Sequence, residues 1–286
     1  MPEKCDNSKP IVTTEWLATH LNDHSIIVVE VDADPADDYE KGHVMGAVCW
    51  NLHTDMENQL TRDIPSVEQF EELLGSSGID SETTVVLYGD GNNRSATWAF
   101  WVMKYYGHKD VRLVDGGRKK WVSEGRPLST NDPEVSSKRY SVGLPDQGIR
   151  ATKEYVEKRL GLDEVKILDT RTHEEFVGEL TSAPGTPQPD IYRKGRIPGA
   201  IHAPWDQVAA EDGSFRSVKE IRNIYDTRGI NSSSEVITYC RLGMRASYSW
   251  FVLKYLLGYQ SVVNYDGSWT EWGNSIGVPI ETGPTG

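Results

Sequence analysis

The stretch VVLYGDGNNRSATWAFWVMKYYG (residues 85–107) aligns without a gap on VITYCRLGMRASYSWFVLKYLLG (residues 236–258), at an offset of 151 positions. Identical residues fall on one another along the alignment: Tyr88 on Tyr239, Arg94 on Arg245, Phe100 on Phe251 and Gly107 on Gly258. Each copy passes from a run rich in β-branched residues into a helical pattern, an alternation typical of parallel sheets flanked by helices. The repeat predicts two homologous α/β halves.

Matches outside this stretch extend the repeat and indicate its boundary. The same offset places Asp115 on Asp266 and Trp121 on Trp272. The polar segment 126–148, with several Pro, Ser and Gly residues, has the composition of a linker. We therefore expect domains at 1–125 and 149–286, each a mostly parallel sheet with helices on both faces.

The second half contains one cysteine at a position where such folds bind ligands. Strand-like runs occur at 165–169, 234–239 and 261–265, and helical patterns at 153–160, 217–229 and 246–258. Ligands of parallel α/β sheets bind beyond the carboxyl ends of the strands. Cys240 directly follows the run 234–239.

Composition and charge exclude several classes of function. A net charge of -13 disfavours nucleic acid or an anionic membrane as the main partner. We recognise no membrane span and no secretion signal, and three cysteines are too few for a disulfide framework. His43, His173 and His202 have no metal-ligand spacing, and Cys49 has no charged neighbours in sequence. We expect a cytoplasmic protein without metal or cofactor.

The segment Cys240–Arg245 joins a strand to a helix and has the features of an anion-binding loop. Successive backbone N–H groups at a helix N-terminus converge on a small concavity, and Arg241 and Arg245 add positive charge. This field should also stabilise a thiolate at Cys240. Gly243 suits a tight curl of the backbone. Leu242 and Met244 complete the predicted loop. The alternative is a buried core cysteine, a common environment for a lone cysteine.

The first half provides an internal control for this prediction. At the positions of Cys240–Arg245 it reads Gly89-Asp90-Gly91-Asn92-Asn93-Arg94. The thiol is absent and an aspartate replaces the first arginine. We expect no covalent chemistry in the first half.

Several further motifs resemble those of the rhodanese family, specifically two-domain sulfurtransferases with an inactive first repeat and an active second one. VVNYDGSWTEW (262–272) resembles the carboxyl-terminal motif of the family, and YEKGHVMGA (39–47) and YRKGRIPGA (192–200) resemble its amino-terminal motif. ILDTR (167–171) resembles a family strand that ends in Asp-x-Arg. The departures are Met45 in place of proline and Arg196 in place of histidine.

The resemblance implies a ping-pong transfer in which Cys240 carries sulfur as a persulfide between an anionic donor and cyanide or another thiophilic acceptor. Arginine directly after the cysteine resembles thiosulfate-using enzymes, whereas mercaptopyruvate-using ones have glycine there. Leu242 and Arg245 depart from the vertebrate pattern and resemble a bacterial-type loop, so we hypothesise that Arg245 supplies a second cation for thiosulfate. We expect a monomer or a weak homodimer.

Other residues near the motifs have two interpretations each. Asp169 and Arg171 either orient the loop and contact substrate or form a plain ion pair. Asp266 supports the site or only forms an Asp-Gly turn. Trp269 lines the core or the cleft. The insertion 178–194 is a solvent loop or an active-site flap.

Three other functions remain as alternatives. A 3-mercaptopyruvate sulfurtransferase would share the mechanism. Phosphatases and arsenate reductases share the architecture but place five residues between cysteine and arginine, whereas four separate Cys240 from Arg245. A noncatalytic rhodanese module would only bind partners.

Overall fold

The computed structural model describes residues 10–183 and 191–284. The chain divides into two compact units between Pro145 and Asp146, and the segment Glu211–Ser214 groups with the first unit. The division lies within the predicted linker 126–148. Residues at the start of that segment pack on the first unit, since the backbones of Ser129 and His43 exchange hydrogen bonds of 2.7 and 2.8 Å.

The first unit is built on a five-stranded sheet in which all neighbouring strands are parallel, in the order β1-β5-β4-β2-β3. Its strands are β1 (Ile11–Val12), β2 (Ile26–Asp32), β3 (Val48–Asn51), β4 (Thr84–Tyr88) and β5 (Val111–Val114). Its α-helices are α1 (Thr14–His20), α2 (Val67–Ser76), α3 (Asp90–Tyr105) and α4 (Gly117–Ser123), with a 3₁₀ turn at Tyr39–Lys41.

The second unit has a four-stranded parallel sheet in the order β7-β6-β8-β9. Its strands are β6 (Val165–Asp169), β7 (Ile201–His202), β8 (Glu235–Tyr239) and β9 (Val262–Asn264). Its α-helices are α5 (Lys153–Glu157), α6 (His173–Val177), α7 (Val218–Asp226), α8 (Met244–Phe251) and α9 (Ser268–Trp272), with 3₁₀ turns at Gln147–Ile149 and Trp205–Val208 and a π-helical turn at Val252–Leu256.

The two sheets have the same strand order, which confirms the α/β fold and the repeat predicted from sequence. Strands β3-β2-β4-β5 correspond to β7-β6-β8-β9, and a parallel bridge from Arg150 to Asn264 stands where β1 pairs with β5. Strands β4 and β8 are related by the offset of 151 found in the sequence. The helical pattern at 246–258 begins two residues earlier than predicted, at Met244, and changes to a π-helical turn after Phe251.

The same polar contacts of a buried tyrosine occur inside each unit. The Tyr88 hydroxyl donates to Glu30 and accepts from the backbone N–H of Val44 at 2.9 Å. In the second unit the Tyr239 hydroxyl donates to Asp169 Oδ2 at 2.5 Å and accepts from the N–H of Ile197 at 3.2 Å. In each half, a buried tyrosine at the end of one central strand thus binds the neighbouring central strand and the loop that follows that neighbouring strand. This shared contact explains why the tyrosine is repeated.

Helix starts are repeated in the same way. Ser66 caps α2 through a capping box with Gln69, and Ser217 caps α7 through a capping box with Glu220. Both pairs satisfy N–H groups that the first helical turn leaves without partners. They fix the crossover helices that precede β4 and β8.

Candidate active site

Cys240 lies at the carboxyl end of β8, as the sequence predicted, and its residue surface is 1% exposed. Its backbone N–H donates to Ser268 Oγ at 3.0 Å. Its carbonyl accepts from the N–H of Trp269 at 3.0 Å. Both backbone groups of the cysteine are therefore fixed by the first residues of α9.

The same helix holds the next peptide of the loop. Arg241 O accepts hydrogen bonds from the N–H of Thr270 at 3.1 Å and from Thr270 Oγ1 at 2.8 Å. With these carbonyls directed at α9, the chain turns back at Gly243, whose left-handed φ of 89° fits the tight curl predicted at this glycine. The N–H of Gly243 lies 3.1 Å from Cys240 Sγ. A backbone N–H at this distance stabilises negative charge on the sulfur.

Ser268 is a site residue that the sequence analysis did not identify. It is fully buried, its hydroxyl donates to Tyr265 O at 2.7 Å, and its φ of 52° is left-handed. The signal was available, since Ser268 belongs to the motif at 262–272. Its role as the acceptor for the Cys240 N–H requires the folded geometry.

Arg245 lies in a buried ion pair that the sequence analysis also did not identify. Its Nη1 and Nη2 atoms lie 2.7 and 2.9 Å from the two carboxylate oxygens of Glu175, which has no exposed surface. Burial disfavours ionisation of Glu175, but the hydrogen bonds from Arg245 hold the pKa of this carboxyl below its ordinary value. The guanidinium is thus compensated by a carboxylate of the protein itself.

Glu175 is held in place by its own helix. It is the third residue of α6 and completes a capping box with Thr172, whose N–H donates to Glu175 Oε2 at 3.0 Å. The sequence Thr-His-Glu-Glu at 172–175 is the pattern of such a box, so the helix start could have been found. The contact with Arg245 joins residues 70 positions apart.

The remaining predicted loop residues are buried to different degrees. Arg241 is 8% exposed and Met244 is buried at the start of α8, whereas Leu242 is half-buried. The structure therefore brings together all six residues from Cys240 to Arg245 in one compact turn.

Asp169 and Arg171 form an ion pair beneath the loop. Both are fully buried; Arg171 Nη2 lies 2.6 Å from Asp169 Oδ2 and also donates to Gly195 O at 2.7 Å. The guanidinium lies 4.7 Å from the ring centroid of Trp269, itself fully buried. Asp169 and Arg171 thus form the ion pair of one interpretation, while a role in orienting the loop or contacting substrate stays a prediction. Trp269 belongs to the hydrophobic core of this unit.

Asp266 has a structural partner. Arg150 Nε and Nη2 bind its two carboxylate oxygens at 2.9 and 2.7 Å. The pair anchors the segment that leads into the second unit next to the turn before α9.

The predicted flap 178–194 lies partly outside the described residues, since 184–190 are not described. At its end, the Arg193 guanidinium donates to the carbonyls of four residues: Trp272, Gly273, Ser275 and Val278. These contacts fix the return of the chain after the insertion.

The loop of the first half has a different conformation. Gly91, Asn92 and Asn93 have φ values of 55°, 58° and 65°, all left-handed. Asn93 Oδ1 accepts from the N–H of Gly89, the position of Cys240, at 3.0 Å. The residue of the first half that is equivalent to Ser268 is Gly117, where a Cβ atom would lie 2.1 Å from Asn93 Oδ1. An asparagine inside the loop thus replaces the serine outside it.

The charges beneath the first-half loop are also rearranged. Arg118, at the position of Trp269, binds Glu30 at 2.7 Å. Asp32, at the position of Arg171, is 1% exposed, and among the residues that the structure describes neither of its carboxylate oxygens has a hydrogen-bond partner. Burial, with nearby Glu30 and Asp38, raises the pKa of Asp32 to about 8. Burial also raises the pKa of the Cys49 thiol, on the neighbouring strand, to about 12.

Two features are absent from the part of the chain that the structure describes. Within residues 10–183 and 191–284, no group of three or more His, Cys, Asp and Glu side chains is arranged to hold a metal ion. In the same part of the chain, none of the helices has the length and apolarity to cross a membrane.

The tandem sheets and the single cysteine loop define a duplicated α/β protein with one thiol site. The sequence-family model of the rhodanese-like domain matches the chain twice, at residues 13–124 and 152–275. The chain therefore belongs to this family of sulfurtransferases. It is 48% identical to "Sulfur carrier protein TtuD" of Thermus thermophilus over 96% of both chains. It is 43% identical to "Putative thiosulfate sulfurtransferase" of Mycolicibacterium smegmatis, over 96% of this chain and 99% of the relative.

Solved structures of a related enzyme have the same fold. The anaerobic ergothioneine biosynthesis enzyme of Chlorobium limicola, bound to trimethyl histidine, superposes with a TM-score of 0.87 at 26% identity, covering 96% of this chain and 71% of that one. A structure of EanB that carries a cysteine persulfide with ergothioneine has a TM-score of 0.86 at 26% identity, with 96% of this chain and 71% of that one covered.

Proposed function

We propose that this protein is a thiosulfate sulfurtransferase that works through a persulfide on Cys240. The observation that carries the proposal is the thiol at the end of β8 with the Gly243 N–H 3.1 Å from its sulfur. The Cys240 thiolate attacks the outer sulfur of thiosulfate, a new S–S bond forms, and the bond to the sulfonate sulfur breaks, releasing sulfite.

The second half of the reaction returns the enzyme to its starting state. Cyanide or a thiolate attacks the outer sulfur of the persulfide, the S–S bond breaks, and its electron pair returns to Cys240. The loop N–H groups that hold the thiolate are equally suited to the persulfide anion and to the oxygens of the donor. The names of the relatives, a sulfur carrier and a thiosulfate sulfurtransferase, support both halves of this cycle.

3-Mercaptopyruvate is the second candidate donor. It is favoured by the Arg245–Glu175 pair, because a compensated arginine attracts a dianion less strongly than a free one. The mechanism at Cys240 would be unchanged, with pyruvate as the leaving product.

The test measures thiocyanate formation from cyanide with each donor, together with the mass of the protein after donor alone. We expect one added sulfur on the wild-type chain after thiosulfate, thiocyanate on addition of cyanide, and neither in Cys240→Ser. Turnover with mercaptopyruvate alone would overturn the donor assignment. Absence of both the adduct and thiocyanate with either donor, or hydrolysis of an aryl phosphate instead, would overturn sulfur transfer.

A further inference from the structure

The ion pair between Glu175 and Arg245 has a consequence for the charge of the cysteine loop. Arg245 is the second residue of α8, and Cys240 lies five positions before it at the end of β8. Burial works against the charge of Arg245, but the hydrogen bonds with Glu175 and, after them, attraction to negative charge at Cys240 raise the pKa of Arg245. The carboxylate and the guanidinium therefore act on the same region with opposite signs.

We propose that Glu175 is a specificity-determining residue of the cysteine loop, which lowers the preference of the loop for doubly charged sulfur compounds over singly charged ones by neutralising Arg245. The inference rests on the proposed function for its substrate class. Glu175 does not touch the reacting sulfur; it acts through Arg245, which it binds with both carboxylate oxygens at 2.7 and 2.9 Å.

Because the Glu175–Arg245 pair is buried, the charge of Arg245 stays compensated. Glu175 has no exposed surface and the Arg245 side chain is 11% exposed, so water and salt screen the pair only weakly. Glu175 is also fixed by the capping box with Thr172. The guanidinium of Arg245 is thereby held in one geometry, with its charge compensated by Glu175. An arginine without such a partner would be free to move onto a bound substrate.

The energetic effect scales with the charge of the bound anion. Removing the carboxylate adds one positive charge to the loop, and the resulting attraction for a dianion is twice that for a monoanion. Even at the dielectric constant of bulk water, ~80, one unit charge ~6 Å from the bound anion changes monoanion binding roughly threefold and dianion binding roughly tenfold. Thiosulfate and 3-mercaptopyruvate differ in this way, since only thiosulfate carries two negative charges at neutral pH.

The chain offers well-matched variants. Glu175→Gln removes the charge and keeps the capping box, because glutamine fills the same box position in α2 as Gln69. Glu174→Gln, at an exposed neighbouring position of the same helix, removes an equal charge away from the pair. Arg245→Gln and the double variant Glu175→Gln/Arg245→Gln complete a cycle in which the double variant is again neutral at the pair.

Two readouts test the proposal. The first is the ratio of the rates at which iodoacetate and iodoacetamide alkylate Cys240, two reagents of similar size of which only iodoacetate is charged. We expect Glu175→Gln to raise this ratio roughly threefold and both the double variant and Glu174→Gln to match the wild type. Arg245→Gln should match the wild type while the buried Glu175 carboxyl, now without its arginine, holds a proton, and should fall below it at a pH high enough to ionise that carboxyl. The second is the ratio of kcat/KM for thiosulfate to that for mercaptopyruvate, which should also rise roughly threefold in Glu175→Gln.

The outcomes separate this proposal from the proposed function. The alkylation ratio needs no sulfur transfer, so it remains readable if neither donor is turned over. A ratio unchanged or lowered in Glu175→Gln would overturn the proposal, as would ratios in Arg245→Gln and the double variant that stay equal from about pH 6 to about pH 10, the range in which a buried glutamate without its cation ionises. The comparison of Arg245→Gln with the double variant can still be made if Glu175→Gln alone does not fold, because both of these variants lack the arginine.

Discussion

Replacing Ser268 by alanine tests whether α9 positions the cysteine. The Ser268 hydroxyl accepts from the Cys240 N–H at 3.0 Å and donates to Tyr265 O at 2.7 Å, and the residue is fully buried. Alanine removes both hydrogen bonds. It leaves a buried N–H and a buried carbonyl each without this partner, and it frees the first peptide of the loop.

The expected loss follows from these two groups. A buried donor or acceptor that loses its hydrogen-bond partner costs about 1–3 kcal/mol. Two such groups remain in the variant, while the hydroxyl itself is gone and leaves no further group without a partner. We therefore expect a total loss of stability of roughly 2–4 kcal/mol. For a unit of this size the loss corresponds to a fall in Tm of roughly 6–12 °C for the second unit. We also expect slower alkylation of Cys240 by iodoacetate, because the loop N–H groups lose their fixed orientation.

A glycine variant serves as the control for backbone strain. Ser268 has a φ of 52°, and a left-handed non-glycine residue costs about 1–2 kcal/mol. Ser268→Gly loses the same hydroxyl but relieves this strain, so it should be more stable than Ser268→Ala by about 1 kcal/mol. Differential scanning calorimetry resolves the two variants. A Tm for Ser268→Ala within about 1 °C of the wild type would refute the assigned role of the hydroxyl.

Three further predictions concern stability. Because the pKa of Asp32 is raised from 3.8 to about 8, the folded state holds a proton that the unfolded state has lost between those values, so stability falls as pH rises through this window. In Asp32→Asn the stability no longer falls in this window, so the advantage of the variant over the wild type should grow with pH and reach roughly 5 kcal/mol at pH 8. A difference in Tm between variant and wild type that stays constant from about pH 5 to 9 would contradict this. Gly117→Ala should destabilise the first unit by roughly 2–4 kcal/mol, since its Cβ would lie 2.1 Å from Asn93 Oδ1, and urea unfolding that matches the wild type would contradict the clash. Arg193→Lys should cost about 2 kcal/mol in the same assay, because one ammonium cannot reach the four carbonyls that the guanidinium binds; an unchanged midpoint would show those bonds to be dispensable.

Most of the fold was predictable because it depends on local patterns that occur twice. The run at 165–169 corresponds to β6 without change, and the position of Cys240 follows from the rule for parallel sheets. The left-handed turn at Gly243 was predictable because glycine adopts positive φ without cost. These features depend on residues close in sequence.

The charge balance of the loop was not predictable in this way. Counting arginines gave the loop two cations, whereas Glu175 compensates Arg245 across 70 positions of sequence. A capping-box glutamate normally serves only its own helix start, so nothing local indicated a second partner. Ser268 was likewise visible within a motif, but its bond to the Cys240 N–H spans 28 positions.

The comparison of the two halves indicates that chemistry depends on more than the nucleophile. A cysteine placed at Gly89 would enter a loop whose first N–H is already bound by Asn93 and whose backbone is left-handed at three consecutive residues, whereas the second-half loop is left-handed at Gly243 alone. The outside serine cannot be added alone, because a side chain at Gly117 collides with Asn93. Below the loop, Asp32 stands at the position of Arg171 and holds a proton below about pH 8, so the first half has no cation at this position. Loop conformation, outside acceptor and buried charge have to change together, which accounts for a duplicated fold with a single thiol site.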